Sequence, residues 1–235
     1  MNKKTRSINI TQYDYVVRNV NDEELDIEGH PHHYTEFDME GRPLMEIKYN
    51  RHGIFEEKLE YEYDSQGNLI RESYYPEEDE LAEEKTFQRN ETGQIVRALK
   101  HYQDGSIDTI DFHYDEANRL IKRTITTDEG EIEQVETFEW DNDTLVNHTM
   151  VDGEGNDMTD HDEPPVKSNP PRITLNDREQ VVTEEELDEN GEVYMTINRT
   201  YTEDGQPDEV HVSIDGRGKT ISQHYFLKYE YTYFN

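Results

Sequence analysis

The chain has 235 residues, 31% of them hydrophobic, and 56 Asp and Glu against 23 Lys and Arg give a formal net charge of −33 at pH 7. Charge of that sign and size opposes binding to nucleic-acid phosphates and to anionic membranes, and favours solubility and basic partners. The absence of cysteine excludes a disulfide framework and thiol nucleophiles.

At the amino terminus Met1-Asn2-Lys3-Lys4-Thr5-Arg6 is basic, but no apolar run follows. Ile8 and Ile10 alternate with polar residues, which is not the pattern of a signal peptide. No stretch approaches a membrane-spanning length. The chain therefore reads as cytoplasmic; a chain whose signal segment had been removed would read the same. Residues 1–10 suggest a loose arm or a first edge strand. Tyr13, Tyr15 and Val17 alternate with Asp14, Val16 and Arg18, a strand pattern, and Asn21-Asp22-Glu23-Glu24 through Gly29 reads as a turn or loop.

A repeat follows. Its clearest copy is Tyr61-Glu62-Tyr63-Asp64-Ser65-Gln66-Gly67-Asn68-Leu69-Ile70-Arg71. Leu59, Tyr61 and Tyr63 alternate with Lys58, Glu60 and Glu62, the period of two of a strand with one buried face. Asp64 can accept hydrogen bonds from backbone amides two residues on, Gly67 supplies a φ > 0 position, and Leu69 and Ile70 restart an apolar run. The unit is an aromatic, Asp or Asn, two free residues, Gly, one free residue and an aliphatic. The anchors Phe37, Tyr63, Arg89, Tyr114 and Trp140 are spaced by 26, 26, 25 and 26 residues. In the fourth copy Asn118 stands in the Gly place, and Asn tolerates the left-handed region better than most residues. Weaker copies lie halfway, at Tyr49-Asn50-Arg51-His52-Gly53, Tyr102-Gln103-Asp104-Gly105 and Thr126-Thr127-Asp128-Glu129-Gly130. Later copies begin at Leu187-Asp188, Tyr201-Thr202 and Ile214-Asp215.

These spacings predict an all-β fold: an antiparallel meander of repeated β-hairpins forming a curved or rolled sheet. The periodic aromatics, 16 Tyr among them, argue against the disorder that low hydrophobicity and high charge would otherwise suggest, because a repeat unit buries its face mainly against its neighbours. Tyr63-Asp64-Ser65-Gln66-Gly67-Asn68-Leu69-Ile70 and Tyr114-Asp115-Glu116-Ala117-Asn118-Arg119-Leu120-Ile121 resemble the YD repeat of the RHS/YD-repeat family of bacterial β-hairpin proteins. The resemblance covers residues 35–150 well and 183–220 loosely, and the chain departs from the family in its short length and its acidity. It implies successive hairpins joined into a continuous, strongly curved sheet, and it implies no catalytic residues, the repeat being scaffold. A MORN-type hairpin array is the other family considered; the Asp after the aromatic favours the YD type.

Residues 1–150 are thus expected to be the array, with Pro76-Glu77-Glu78-Asp79-Glu80 an acidic solvated loop between strands. Residues 151–171 hold Gly153, Gly155, Pro164, Pro165, Pro170 and Pro171, which should not continue a ladder, and read as an acidic loop or linker. Residues 172–235 continue the hairpins and end in Leu227-Lys228-Tyr229-Glu230-Tyr231-Thr232-Tyr233, a terminal strand with Leu227, Tyr229, Tyr231 and Tyr233 on one face.

Each candidate site has a plainer explanation. Asp152 through Glu163 places oxygen ligands at positions 1, 3, 5, 9 and 12 of an EF-hand calcium loop, but Asp157 stands where that loop requires Gly and no amphipathic helix flanks it. His30, His32 and His33 around Pro31 could hold zinc, yet no second ligand pair accompanies them, and a polar loop is the better reading. Ser65, Ser73, Ser106, Ser168, Ser213 and Ser222 lie in no nucleophile-elbow context, and no phosphate-binding Gly loop is present. No catalytic, cofactor-binding or metal-binding residue is assigned, and the chain is expected not to be an enzyme. Tyr63, Tyr114, Trp140 and Tyr201 could line a binding surface, or be structural residues of the repeat. The leading expectation is a non-enzymatic protein-binding or scaffold module, in concrete form an acidic immunity or accessory factor engaging a basic bacterial protein. The alternatives are a secreted or cell-surface carbohydrate-binding module and a carboxylate-based hydrolase.

Overall fold

A computed structural model describes residues 3–16, 26–159, 169–216 and 222–235. Several expected features lie outside the described residues: Val17 and Arg18, the turn at Asn21-Asp22-Glu23-Glu24, Asp160 through Glu163, Pro164, Pro165 and Ser168. Among the described residues all regular structure is β. The strands are β1 (Thr5–Val16), β2 (Asp26–Phe37), β3 (Pro43–Tyr49), β4 (Phe55–Tyr63), β5 (Leu69–Tyr75), β6 (Glu83–Arg89), β7 (Ile95–Tyr102), β8 (Ile107–Tyr114), β9 (Leu120–Thr126), β10 (Ile132–Asp141), β11 (Thr144–Asp152), β12 (Asn169–Leu175), β13 (Val181–Leu187), β14 (Val193–Tyr201), β15 (Pro207–Ile214) and β16 (Gln223–Tyr233).

Among the described residues the sixteen strands form one antiparallel meander sheet that is not closed, with β11 and β12 as its outer strands. The chain divides into two compact units, Met1–Glu56 with Glu163–Asn235, and Glu57–Asp162. Within the first, the strand order is β3-β2-β1-β16-β15-β14-β13-β12; within the second it is β11-β10-β9-β8-β7-β6-β5-β4.

The expectation for the amino terminus needs correction. The amino-terminal stretch is neither a loose arm nor an edge: β1 lies between β2 and β16, with Ile8 opposite Tyr231 and Ile10 opposite Tyr229. The alternating apolar residues of both terminal strands, Ile8 and Ile10 with Leu227, Tyr229 and Tyr231, need a common face, and pairing the two strands gives them one.

The turn chemistry explains the regularity. At Asp64 the Gly67 N–H donates to the Asp64 carbonyl at 3.0 Å and the Asp64 N–H to the Asn68 carbonyl at 2.9 Å. Asp64 Oδ1 also accepts from the N–H groups of Gln66 and Asn68, and Gly67 has φ 89°. This is a type I turn closed by a residue in the left-handed region, one of the favoured longer hairpin connections. The same backbone pair of bonds recurs at Asp38, Asn50, Asn90, Asp115, Asp152, Asn176 and Asp188, and at Thr127 and Thr202. The residue before the turn then faces the first residue of the next strand: Tyr63 opposite Leu69, Arg89 opposite Ile95, Tyr114 opposite Leu120. The next residue of the outgoing strand is an extra one, since Glu62 pairs with Arg71 and His113 with Lys122. Such a bulge leaves one residue unpaired, and these residues, Ile70 and Ile121, are exposed.

Two turns escape the sequence reading. Asp152-Gly153-Glu154-Gly155-Asn156 is a turn of the repeat leaving β11, and Asn176-Asp177-Arg178-Glu179-Gln180 joins β12 to β13 with Glu179 at φ 61°. Pro170 and Pro171 also lie inside a strand rather than ending one. They sit in the outer strand β12, where the register jumps from Asn169 to Arg172, the edge position in which a missing N–H is tolerated.

Candidate functional site

Register defines two unlike faces in each unit, because residues directly opposite in an antiparallel pair point to the same side. In the unit of Glu57–Asp162, Phe87, Ala98, Ile110 and Ile125 form one row across β6, β7, β8 and β9. Beside it run Phe112, Arg123, Glu136 and Met150, and Leu59 faces Tyr74. The opposite face carries Arg71 with Thr86, Arg97 with Asp111, and Thr109 with Thr126.

The first face is apolar and aromatic but carries charge pairs set into it. Lys85 bonds Glu72 at 3.0 Å and Lys100 reaches Glu83 at 2.7 Å. Arg123 is paired with Glu136, whose side chain is only 7% exposed. Gln134 Nε2 donates to the same Glu136 oxygen at 2.7 Å. Each buried or half-buried charge here has a partner, as burial requires.

In the unit formed by Met1–Glu56 and Glu163–Asn235 the corresponding row is Tyr225, Val212, Ile197 and Glu184, next to Leu227, Val210 and Arg199. Arg199 bonds Glu184 at 2.7 Å. On its other face Tyr13 stacks on Phe226 with ring centroids 4.7 Å apart, and Phe226 on His211 at 4.9 Å. Gly29 stands opposite Tyr13; the Tyr13 ring occupies the space a Cβ would need, 2.6 Å away.

Neither apolar face is sealed. Among the described residues only Ala98, Leu187 and Val212 are buried hydrophobics, and no large side chain is fully buried. Phe87, Phe112, Phe138 and Trp140 are all half-buried. A sheet in a layered domain would bury such a face against a second layer.

The acidic residues are placed by the turns. In the unit of Glu57–Asp162 every second turn lies on the same rim, about 10 Å from the next because two strand spacings separate them. On one rim lie the segment after β5 and the turns after β7, β9 and β11. Their exposed acids are Glu77, Glu78, Asp79 and Glu80, then Asp104, then Asp128, Glu129 and Glu131, then Glu154 and Asp157. No Lys or Arg interrupts them. The Pro76 segment is itself a narrow turn, with Glu77 bridged to Glu80.

The individual candidates fall as follows. Asp152 and Asn156 face each other, but Asp152 Oδ1 accepts from the Glu154 and Asn156 N–H groups, and Oδ2 from Asn156 Nδ2 at 2.7 Å. Those contacts repeat the Asp64 turn. Among the described residues no group of three His, Asp or Glu is arranged to hold a metal ion. His30, His32 and His33 lie in β2 rather than in a loop. His33 pairs with Ile10 and Pro31 with Thr11, so His32 occupies the bulge. Burial, with the neighbouring His30, lowers the His32 pKa below its ordinary value. Ser65 and Ser106 lie in turns; Ser73 and Ser213 lie in β5 and β15. The four aromatic anchors are spread through the sheet, and three turn their polar ends to backbone: Tyr114 Oη donates to the Ile95 carbonyl, Trp140 Nε1 to that of Leu120 and Tyr201 Oη to that of Val181. Tyr63 faces Leu69.

A family model described as "Uncharacterised protein" matches residues 20–166. The chain belongs to that family. No curated protein matches it in sequence. Among solved structures it is similar to a porin-like protein from Bacteroides uniformis ATCC 8492, at 12% identity and a TM-score of 0.40, covering 97% of this chain and 98% of that one. It is also similar to TcdB2-TccC3-TEV, at 13% identity and a TM-score of 0.25, over 83% of this chain. A third is TcdB2-TccC3 without its hypervariable C-terminal region, at 11% identity and a TM-score of 0.29, over 77% of this chain. The chain spans 11% and 12% of the length of those last two.

Proposed function

We propose that the chain is a non-enzymatic, cytoplasmic protein-binding scaffold built from YD-type hairpins, and that its partner is a basic protein. The reading rests chiefly on one observation: the sheet carries aromatic faces that no second layer among the described residues seals. Exposed, patterned apolar surface on a soluble chain marks an interaction site. The YD assignment draws its support from the Asp-led turn, whose carboxylate organises the loop at Asp38, Asp64, Asp115, Asp152 and Asp188.

The acidic rim supplies the preference for a basic partner. Like charges spaced by about a Debye length at moderate salt add their potentials and steer a cationic protein toward the rim. Repeat proteins of this kind use a broad surface rather than a pocket. An immunity or accessory role toward a basic bacterial protein is the concrete form of the proposal.

The test is capture from a lysate of the cell the chain comes from, at low and at raised salt, read by mass spectrometry. A basic protein retained at low salt, lost at raised salt, and weakened when Glu77, Glu78, Asp79 and Glu80 are all changed to amides supports the reading. Binding indifferent to salt and to those amides contradicts the charge assignment. Capture of nothing contradicts a soluble protein partner.

A further inference from the structure

β11 is one of the two outer strands of the sheet. Among the described residues no strand pairs with its outer edge. Only its end is covered: Val151 is bridged to Asp157, the Met158 N–H donates to the Met150 carbonyl at 2.7 Å and the Met150 N–H to Thr159 Oγ1 at 2.8 Å. Met150 therefore presents both backbone groups outward, and the two-residue period puts the N–H and C=O of His148 on the same edge. All six residues from Thr144 to Thr149 are exposed. Leu145 is 44% exposed and Val146 58%.

Natural sheets blunt such an edge with charge or proline. Here neither is present. Thr144-Leu145-Val146-Asn147-His148-Thr149-Met150-Val151 contains no Asp, Glu, Lys or Arg, in a chain with 56 acidic residues. We infer that this edge pairs with the β11 edge of a second copy of the same chain, antiparallel across a two-fold axis.

Charge selects that occupant. Two copies meeting along the uncovered part of this run, Thr144 to Thr149, place no carboxylates opposite one another, whereas like charges directly opposite in a sheet are unfavourable, and most other strands of this chain would bring acids together. The far edge of the sheet closes the alternative. In β12 Pro170 and Pro171 lack N–H groups, so a head-to-tail ladder from β11 of one copy to β12 of the next is interrupted. What is left is the isologous pairing, which terminates at a dimer.

Sedimentation velocity from micromolar to millimolar chain is the test, on the intact protein and at two salt concentrations. The expected result is conversion from the 27.9 kDa chain to a species of twice that mass as concentration rises. Added salt should strengthen it, because it screens the repulsion between two bodies of charge −33. That sign is opposite to the one expected for a basic partner, so the two readings fail separately. Val146→Lys and Val146→Glu, both at an exposed position, should leave the far-ultraviolet circular dichroism unchanged and hold the chain monomeric at every concentration. A single 27.9 kDa species throughout, or a dimer that survives both substitutions, overturns the inference.

Discussion

Trp140 Nε1–H donates to the main-chain carbonyl of Leu120 at 2.8 Å, 20 residues earlier. Leu120 is the residue that closes the preceding strong turn, opposite Tyr114. The same bond runs from Tyr114 Oη to Ile95, from Arg89 Nη2 to Leu69, and from Tyr201 Oη to Val181. The anchor of each of these four hairpins is thus tied to the carbonyl that ends the previous turn. This explains why an Arg can stand in the aromatic place at Arg89: its guanidinium supplies the terminal donor that Tyr and Trp supply at the other three.

Removing the donor while keeping the ring isolates that bond. Tyr114→Phe and Tyr201→Phe should each destabilise the chain by about 1 kcal/mol, the net worth of a partly buried hydrogen bond. Arg89→Tyr, which keeps a donor, should stay within about 0.5 kcal/mol of the parent. Urea midpoints at constant slope measure both.

Glu179 holds φ 61° in the turn after β12, where Gly occupies the matching place in most other turns. Glu179→Gly should raise stability by about 1 kcal/mol, since a non-glycine side chain in the left-handed region is disfavoured by roughly that amount. Gly93→Ala should lower it by about 1 kcal/mol: φ is 85° there, and nothing within 4 Å would touch the new Cβ, so the loss is conformational alone. Thermal unfolding of both variants reads the two signs.

The turn carboxylates give an acid limb. The Asn68 side chain and backbone hold the Asp64 carboxyl below its usual range, Arg119 does so for Asp115, and Asn156 for Asp152. A depressed folded value means that their stabilisation is present above the unfolded pKa, near 4, and is lost as pH falls through the folded values. Stability should therefore fall as pH drops below about 4. Changing Asp64, Asp115 and Asp152 together to Asn, the residue that already opens the turns at Asn50, Asn90 and Asn176, should keep the turns and flatten the acid limb.

At the alkaline end, burial, with Tyr229, Tyr233 and Asp208 nearby, pushes the Tyr231 hydroxyl up to about 12. A raised folded value leaves stability untouched below the unfolded pKa near 10 and removes it progressively as pH rises from there through 12. Tyr231 Oη also donates to the Pro207 carbonyl at 2.7 Å, a bond that ionisation abolishes. Tyr231→Phe should be less stable than the parent at neutral pH and lose less between pH 10 and 12, measured by urea unfolding at each pH.

Most of the hairpin array was legible because its signals are local. Asp64, Gly67 and Leu69 specify a turn by their own chemistry, and Asn118 takes the Gly place with φ 64°. Asn176 through Gln180 escapes a local reading because Glu179 carries no mark of a left-handed residue, and Asp152 through Asn156 because the Gly and Pro of residues 151–171 read as a linker. Where β1 belongs was not legible either. Its pairing with β16 joins residues over 200 apart, and no local pattern encodes a partner at that distance. The alternation of each face could be read along a strand, but that no second layer seals the aromatic side follows only from the assembled sheet.

Hydroxyl-radical footprinting of the intact chain, read residue by residue in a mass spectrometer, tests that uncovered face most directly. The account predicts that Phe87, Phe112, Phe138 and Trp140 are oxidised in the native chain at a substantial fraction of their rate in urea, and that a captured partner slows them. Native rates close to zero that rise only on unfolding would show that a covering layer seals these rings, and would contradict the account.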